Sequence, residues 1–139
     1  MTQINAYLKF NGNCREAMQF YKECLGGELT MQTAGESPMS KEMPPEAQNQ
    51  IIHSSLKKGE EVLLYGCDWL TPGAATWGTA ISLSLQCESD GELRTLLSKM
   101  SSGGKVTLPA SPSFWGGTFG MLVDKFGNEW MLNYQKPAQ

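Results

Sequence analysis

Two stretches of this 139-residue chain say the same thing in the same order. Gly26-Gly27-Glu28-Leu29-Thr30-Met31 returns 77 residues later as Gly103-Gly104-Lys105-Val106-Thr107-Leu108. At the same offset Ile4-Asn5-Ala6-Tyr7-Leu8-Lys9-Phe10 falls on Ile81-Ser82-Leu83-Ser84-Leu85-Gln86-Cys87, and both alternate as strands do. Nearer the end of each half, Lys57, Gly59, Glu61 and Leu64 match Lys125, Gly127, Glu129 and Leu132, 68 residues on. Two copies of one supersecondary unit predict a pseudo-symmetric fold with a cleft shared between the copies. Module one is expected over about residues 1–68 and module two over about 79–136, within a single domain spanning 1–139.

Local signals fill in each copy. The first strand is expected over roughly Ile4 to Phe10, followed by Asn13 as a helix cap with Glu16 three residues on. Cys14, Ala17, Tyr21 and Cys24 make the helical stripe, and Gly26-Gly27 ends it with one glycine in the left-handed region. After a strand from Glu28 to about Thr33, residues 34–49 read as a long loop rich in proline, with Met39 and Met43 as a pliable cover or a plain surface. A hairpin follows over about Gln50–Leu56 and Val62–Cys67. In the second half come a strand over about Thr79–Cys87, a Ser89-x-x-Glu92 capping box, and a Leu93, Leu96, Leu97, Met100 stripe. Next are a strand over Lys105–Leu108, a loop over Pro109–Gly117, and a last hairpin turning at Lys125-Phe126-Gly127-Asn128. Each half is therefore βαβββ, an α+β arrangement.

Composition excludes several classes. A net charge of −3 supplies no basic field for a phosphate backbone, so no nucleic-acid partner is expected. No apolar run reaches the roughly 20 residues that span a bilayer, and Met1 to Phe10 has no signal-peptide core, which points to the cytoplasm and away from membranes. Cys14, Cys24, Cys67 and Cys87 have no zinc-site spacing and read as packing residues.

Particular phrases carry a resemblance. Tyr7-Leu8-Lys9-Phe10-Asn11-Gly12-Asn13-Cys14-Arg15-Glu16-Ala17, Phe20-Tyr21-Lys22-Glu23, Ile52-His53, Phe114-Trp115-Gly116-Gly117-Thr118-Phe119-Gly120 and Asp124-Lys125-Phe126-Gly127-Asn128-Glu129-Trp130-Met131-Leu132-Asn133 resemble the PhnB-like branch of the glyoxalase/bleomycin resistance (vicinal oxygen chelate) superfamily. The resemblance implies two βαβββ modules forming a cup-shaped sheet, and a homodimer in which paired modules complete clefts across chains. Members of the branch often carry a demethylubiquinone methyltransferase label. This chain has no room for a Rossmann sheet and no glycine-rich strand-to-helix turn for a nucleotide-like cofactor.

In metal-dependent members, each module lends one ligand from its first strand and one from its last. Carried over by register, these positions are Asn5, Leu63, Ser82 (or Ala80, were the register slipped) and Met131. None is the histidine or carboxylate that such a centre uses, so no metal cofactor is expected.

Strand alternation assigns the remaining candidates. Ile4, Ala6, Leu8 and Phe10, and in the repeat Ile81, Leu83 and Leu85, should pack on the helices. Asn5, Tyr7, Tyr65, Ser82 and Asn133 should then face the cleft as ligand-binding residues, with Trp115 stacking on a ligand from its loop or folding back over the core. His53, the one histidine, is either a general base or a sheet residue paired with Leu64 on the helix side. Three functions stay open: a metal-independent binder of a small organic molecule, a lyase, isomerase or dioxygenase-like enzyme using His53 or a metal, and a structural dimer with a filled cup.

Overall fold

The computed structural model describes residues 2–38, 40–42, 44–69 and 74–137. The order is β1 (Tyr7–Phe10), α1 (Cys14–Leu25), β2 (Glu28–Thr33), β3 (Ile51–Lys58), β4 (Glu61–Asp68), then β5 (Leu83–Cys87), α2 (Asp90–Met100), β6 (Lys105–Pro112), β7 (Gly117–Val123) and β8 (Glu129–Gln135). Each half is βαβββ and the fold is α+β, as the repeat predicts. Three short 3-10 turns, Ala34–Glu36, Ser40–Glu42 and Pro45–Ala47, fall in the stretch expected as a loop. Met39 and Met43 lie outside the described residues. The chain divides into two compact units, Met1–Thr76 and Trp77–Gln139, a boundary inside the expected connection.

Both sheets share one topology, β1-β4-β3-β2 and β5-β8-β7-β6. The first strand of each pairs in parallel with the last, which sets distant residues side by side: Tyr7 opposite Tyr65, and Gln86 opposite Asn133. The other pairings are antiparallel. The two sequence offsets together place Tyr7 opposite Leu63, as Ser84 is opposite Met131. The observed partner, Tyr65, is two residues further along, an even displacement that leaves the faces unchanged.

One face of each sheet is closed by its own helix. In the first unit Leu8, Phe10, Leu56 and Leu64 are buried with Cys14, Ala17, Met18 and Tyr21 of α1. Met18 takes the place expected of Cys24, which is only half-buried. In the second unit Leu122, Trp130 and Leu132 are buried with Leu93, Leu97 and Met100.

Several expectations need correction. Both first strands start late: Ile4 and Ile81 precede β1 and β5 and are 99% and 79% exposed, so neither packs on a helix. Asn5 and Ser82 likewise lie outside the strands. The α1 cap is not made by the Asn13 side chain. Instead the Cys14 amide donates to Asp68 Oδ1 at 2.9 Å, from the far end of β4. Strand β6 runs on past Leu108 through Pro109 to Pro112, with irregular register between Leu108 and Ser111. It borders only β7, and an edge strand tolerates prolines that lack a ladder donor.

The second helix is capped as its sequence predicts: the Ser89 hydroxyl accepts from the Glu92 amide at 3.0 Å. Glu92 Oε1 reaches back to the Glu88 amide at 3.1 Å, one residue before the cap. Ser89→Ala should cost about 1 kcal/mol in a urea titration, since the orphaned amide falls back on water.

Candidate functional site

Alternation in β3 and β4 decides which residues lie away from α1. Ser54 and Gly66 pair with one another and meet the helix: Ser54 Oγ lies 3.6 Å from Cys14 Sγ, and a Cβ on Gly66 would touch Met18. Their neighbours Ser55, Tyr65, His53 and Cys67 therefore occupy the opposite, open face. His53 was expected to pair with Leu64, but Leu64 pairs with Leu56. The strands extend to Lys58 and Glu61 around Gly59-Glu60, with an irregularity between Leu56 and Lys57, and the net shift of three residues is odd. An odd shift moves a side chain to the other face, so the helix-side alternative for His53 is overturned.

On that open face three predicted residues meet. Tyr7 Oη lies 3.1 Å from His53 Nδ1. The Tyr7 and Tyr65 rings stack at 5.6 Å and 22°, and His53 sits 5.5 Å from Tyr65. Burial pushes the Tyr7 phenol up to about 12, with Cys67 beside it adding to the rise. The group stays protonated near neutrality and acts as a donor. With the imidazole proton on Nε2, the phenol donates to Nδ1. Burial also raises the Cys67 thiol, against the smaller lowering influences of the neighbouring Tyr7 hydroxyl and the Lys9 charge, so this sulfur is a thiol and not a ready nucleophile. Beside the cluster, in the same row of the sheet, the Thr30 and Ser55 hydroxyls are joined at 2.9 Å. The arrangement can hold a small molecule between an aromatic pair and a row of donors. It can also pass a proton through His53.

The second unit gathers two more. Trp115 Nε1 donates to Asn133 Oδ1 at 3.0 Å, and Asn133 Nδ2 donates to Gln86 Oε1 at 3.0 Å. Trp115 also meets Phe119 edge-on at 5.8 Å. It thus turns toward the sheet that bears Asn133. Ser82 is not part of this set: its hydroxyl donates to Glu129 Oε1. Asn5 is exposed ahead of β1. The alternation that turns Tyr65 and Asn133 to the cleft turns Cys67 and Gln86 there too, yet neither was expected to bind a ligand. Only the parallel registers Gln86–Asn133 and Lys9–Cys67 bring them in.

The positions that would hold the metal of a vicinal oxygen chelate centre do not suit one. Leu63 has no donor atom, and Met131 offers a thioether that favours soft ions. Ser82 is bonded to Glu129, and Asn5 is outside its strand. Among the described residues, no group of three His, Cys, Asp or Glu side chains is placed to hold a metal ion.

Two βαβββ units with this strand order are matched by sequence comparison. The family model for the Glyoxalase/Bleomycin resistance protein/Dioxygenase superfamily matches residues 3–132. The chain belongs to this superfamily. Protein YjdN of Escherichia coli (strain K12) is 28% identical over 148 residues, covering 98% of this chain and 99% of its own. The crystal structure of PA1353 from Pseudomonas aeruginosa superposes with a TM-score of 0.86 at 36% identity, over 99% of this chain and 100% of that one. A PhnB protein from Bacillus cereus follows with a TM-score of 0.76 at 25% identity, over 96% and 99%. These neighbours bear out the PhnB-like resemblance within the superfamily. Among the described residues, no helix is long and apolar enough to cross a membrane.

Proposed function

We propose that this superfamily member binds a small organic molecule without a metal, at the open sheet face that carries Tyr7, Tyr65 and His53; Trp115 and Asn133, on the open face of the other unit, form a separate candidate site. The observation that carries the reading is the Tyr7–His53–Tyr65 cluster. Two stacked phenols and an imidazole stand on the face opposite the helix, where they contribute little to the buried core. Convergent polar groups among aromatic rings are the usual lining of a small-molecule site. The metal-independent part rests on the donor chemistry of Asn5, Leu63, Ser82 and Met131. A cytoplasmic homodimer belongs to the same reading, and the exposed apolar Val106 and Leu108 on edge strand β6 support the pairing of copies.

Tyr65→Ala removes a stacking ring from a half-buried position on the open face. It should weaken ligand binding about tenfold, as expected for an aromatic contact of order 1.5 kcal/mol, while urea unfolding changes little. Unchanged affinity would take Tyr65 out of the site. Elemental analysis of protein purified without chelator should find no stoichiometric divalent metal.

A second reading has a specific observation behind it. His53 is exposed, and its Nδ1 is held by Tyr7, the usual way a neighbour orients an acid–base imidazole. An enzyme built on it would show an inflection in its pH–rate profile that disappears in His53→Ala.

A further inference from the structure

The open face of the second unit carries a hydrogen-bonded chain whose direction is dictated by chemistry. An indole N–H only donates. Trp115 Nε1, 3.0 Å from Asn133, therefore requires the carbonyl oxygen of that amide. The NH2 of Asn133 is then turned to Gln86, which spends its own carbonyl oxygen on it at 3.0 Å. What remains at the exposed end of the relay is the Gln86 NH2, a pair of donors.

The tryptophan that starts the relay is held in place. It is 40% exposed, within the tight turn between β6 and β7. There the Ser113 amide donates to the Gly117 carbonyl at 2.9 Å, and the Gly117 amide donates to Ser113 Oγ at 3.0 Å. Phe114, 96% exposed, meets the indole edge-on at 4.6 Å. In the next row of the sheet Met131 pairs with Met121, both half-buried, giving a polarisable floor.

We propose that this face recognises a flat, conjugated organic molecule bearing a carbonyl or carboxylate oxygen. Trp115 supplies the stacking surface. Acting through Asn133, it is also the positioning residue that makes Gln86 a donor, so the relay selects acceptors and rejects donors. The inference rests on the small-molecule reading above and adds the class of ligand and the residues that read it.

Side-chain and backbone amide NMR tests it with three probes on one ring system: 2-naphthoate, 2-acetylnaphthalene and the ammonium ion of 2-(aminomethyl)naphthalene. The first two should shift the Trp115 indole and Gln86 amide resonances, and the ammonium should not. Gln86→Glu presents acceptors in place of donors, and should weaken 2-acetylnaphthalene at least tenfold while admitting the ammonium. The neutral ketone separates this effect from simple repulsion between the new carboxylate and 2-naphthoate. Trp115→Phe keeps a ring but removes the donor, so it should shift the free Asn133 and Gln86 amide resonances and abolish the preference for acceptors. Probes that bind at Trp115 without such a preference would overturn the relay and leave small-molecule binding standing. So would Asn133 and Gln86 amides indifferent to Trp115→Phe. Failure of all three probes to perturb Trp115 would overturn the ligand class, whereas binding at Tyr7 and Tyr65 is read separately from their own resonances.

Discussion

Gly104→Ala should lower stability by about 3 kcal/mol, moving the urea midpoint down by roughly 1–3 M. A Cβ on Gly104 would stand 2.1 Å from the Val123 carbonyl oxygen and 2.7 Å from the Asp124 carbonyl carbon. Both are backbone atoms, so no rotamer change relieves the overlap. Asp124 cannot easily yield. Its carboxylate is buried and accepts from the Phe126 and Asn128 amides and from Trp130 Nε1, at 2.9, 3.0 and 2.8 Å. Accommodating the methyl means pulling the start of β6 away from the end of β7 and disturbing that anchor. Gly91→Ala is the internal control. It lies in α2 with nothing within 4 Å of the added Cβ, and should be neutral or stabilising by up to about 1 kcal/mol. Equal effects of the two substitutions would mean that close approach to the sheet is not what requires glycine at 104.

Asp68→Ala should be comparably damaging in the first unit, at about 3–5 kcal/mol. Asp68 is buried, and its two oxygens accept from the Cys14 amide at 2.9 Å and the Ile51 amide at 2.8 Å. One carboxylate thus ties the first residue of α1 and the first residue of β3 to the end of β4. Truncation leaves two buried donors unpaired, each costing about 1–3 kcal/mol. Asp68→Asn keeps one acceptor and should fall between alanine and the native protein. Urea titrations of the three proteins check the ranking. An alanine variant within about 0.5 kcal/mol of the native protein would show that water satisfies these amides and that the tie is dispensable.

Both features mark where sequence reasoning stops. The Gly-Gly pairs were readable as helix stops. Why the second glycine recurs was not, because the reason the two share is a strand carbonyl: Lys57 O closes on a Cβ at Gly27, where a φ of 96° also favours glycine, just as Val123 O opposes Gly104. Asn13 with Glu16 looked like a local cap, and nothing in that spacing could point to Asp68, which tertiary pairing brings in. The βαβββ order followed from the periodicity of apolar residues, since that pattern reports directly which side of an element is covered. Face assignments were sound for residues inside the paired segments, as for Tyr7 and Tyr65. They failed where the register was off by an odd number, as for His53. Ile4 and Ile81 alternate like strand residues, yet they precede the paired segments and lack a sheet neighbour to bury them. The Gln86–Asn133–Trp115 relay needs two strand registers and a turn geometry at once, none of which is written in local spacing.

The central question is whether the chain binds a small molecule without a metal at the Tyr7–His53–Tyr65 face. A thermal-shift screen of chelator-treated protein against a library of small organic acids, ketones and phenols tests this most directly, with Tyr65→Ala run beside it. The prediction is that at least one compound raises the melting temperature of the native protein in the presence of chelator, and that Tyr65→Ala clearly reduces the shift. Stabilisation that appears only after a divalent ion is added, or that survives intact in Tyr65→Ala, would contradict it.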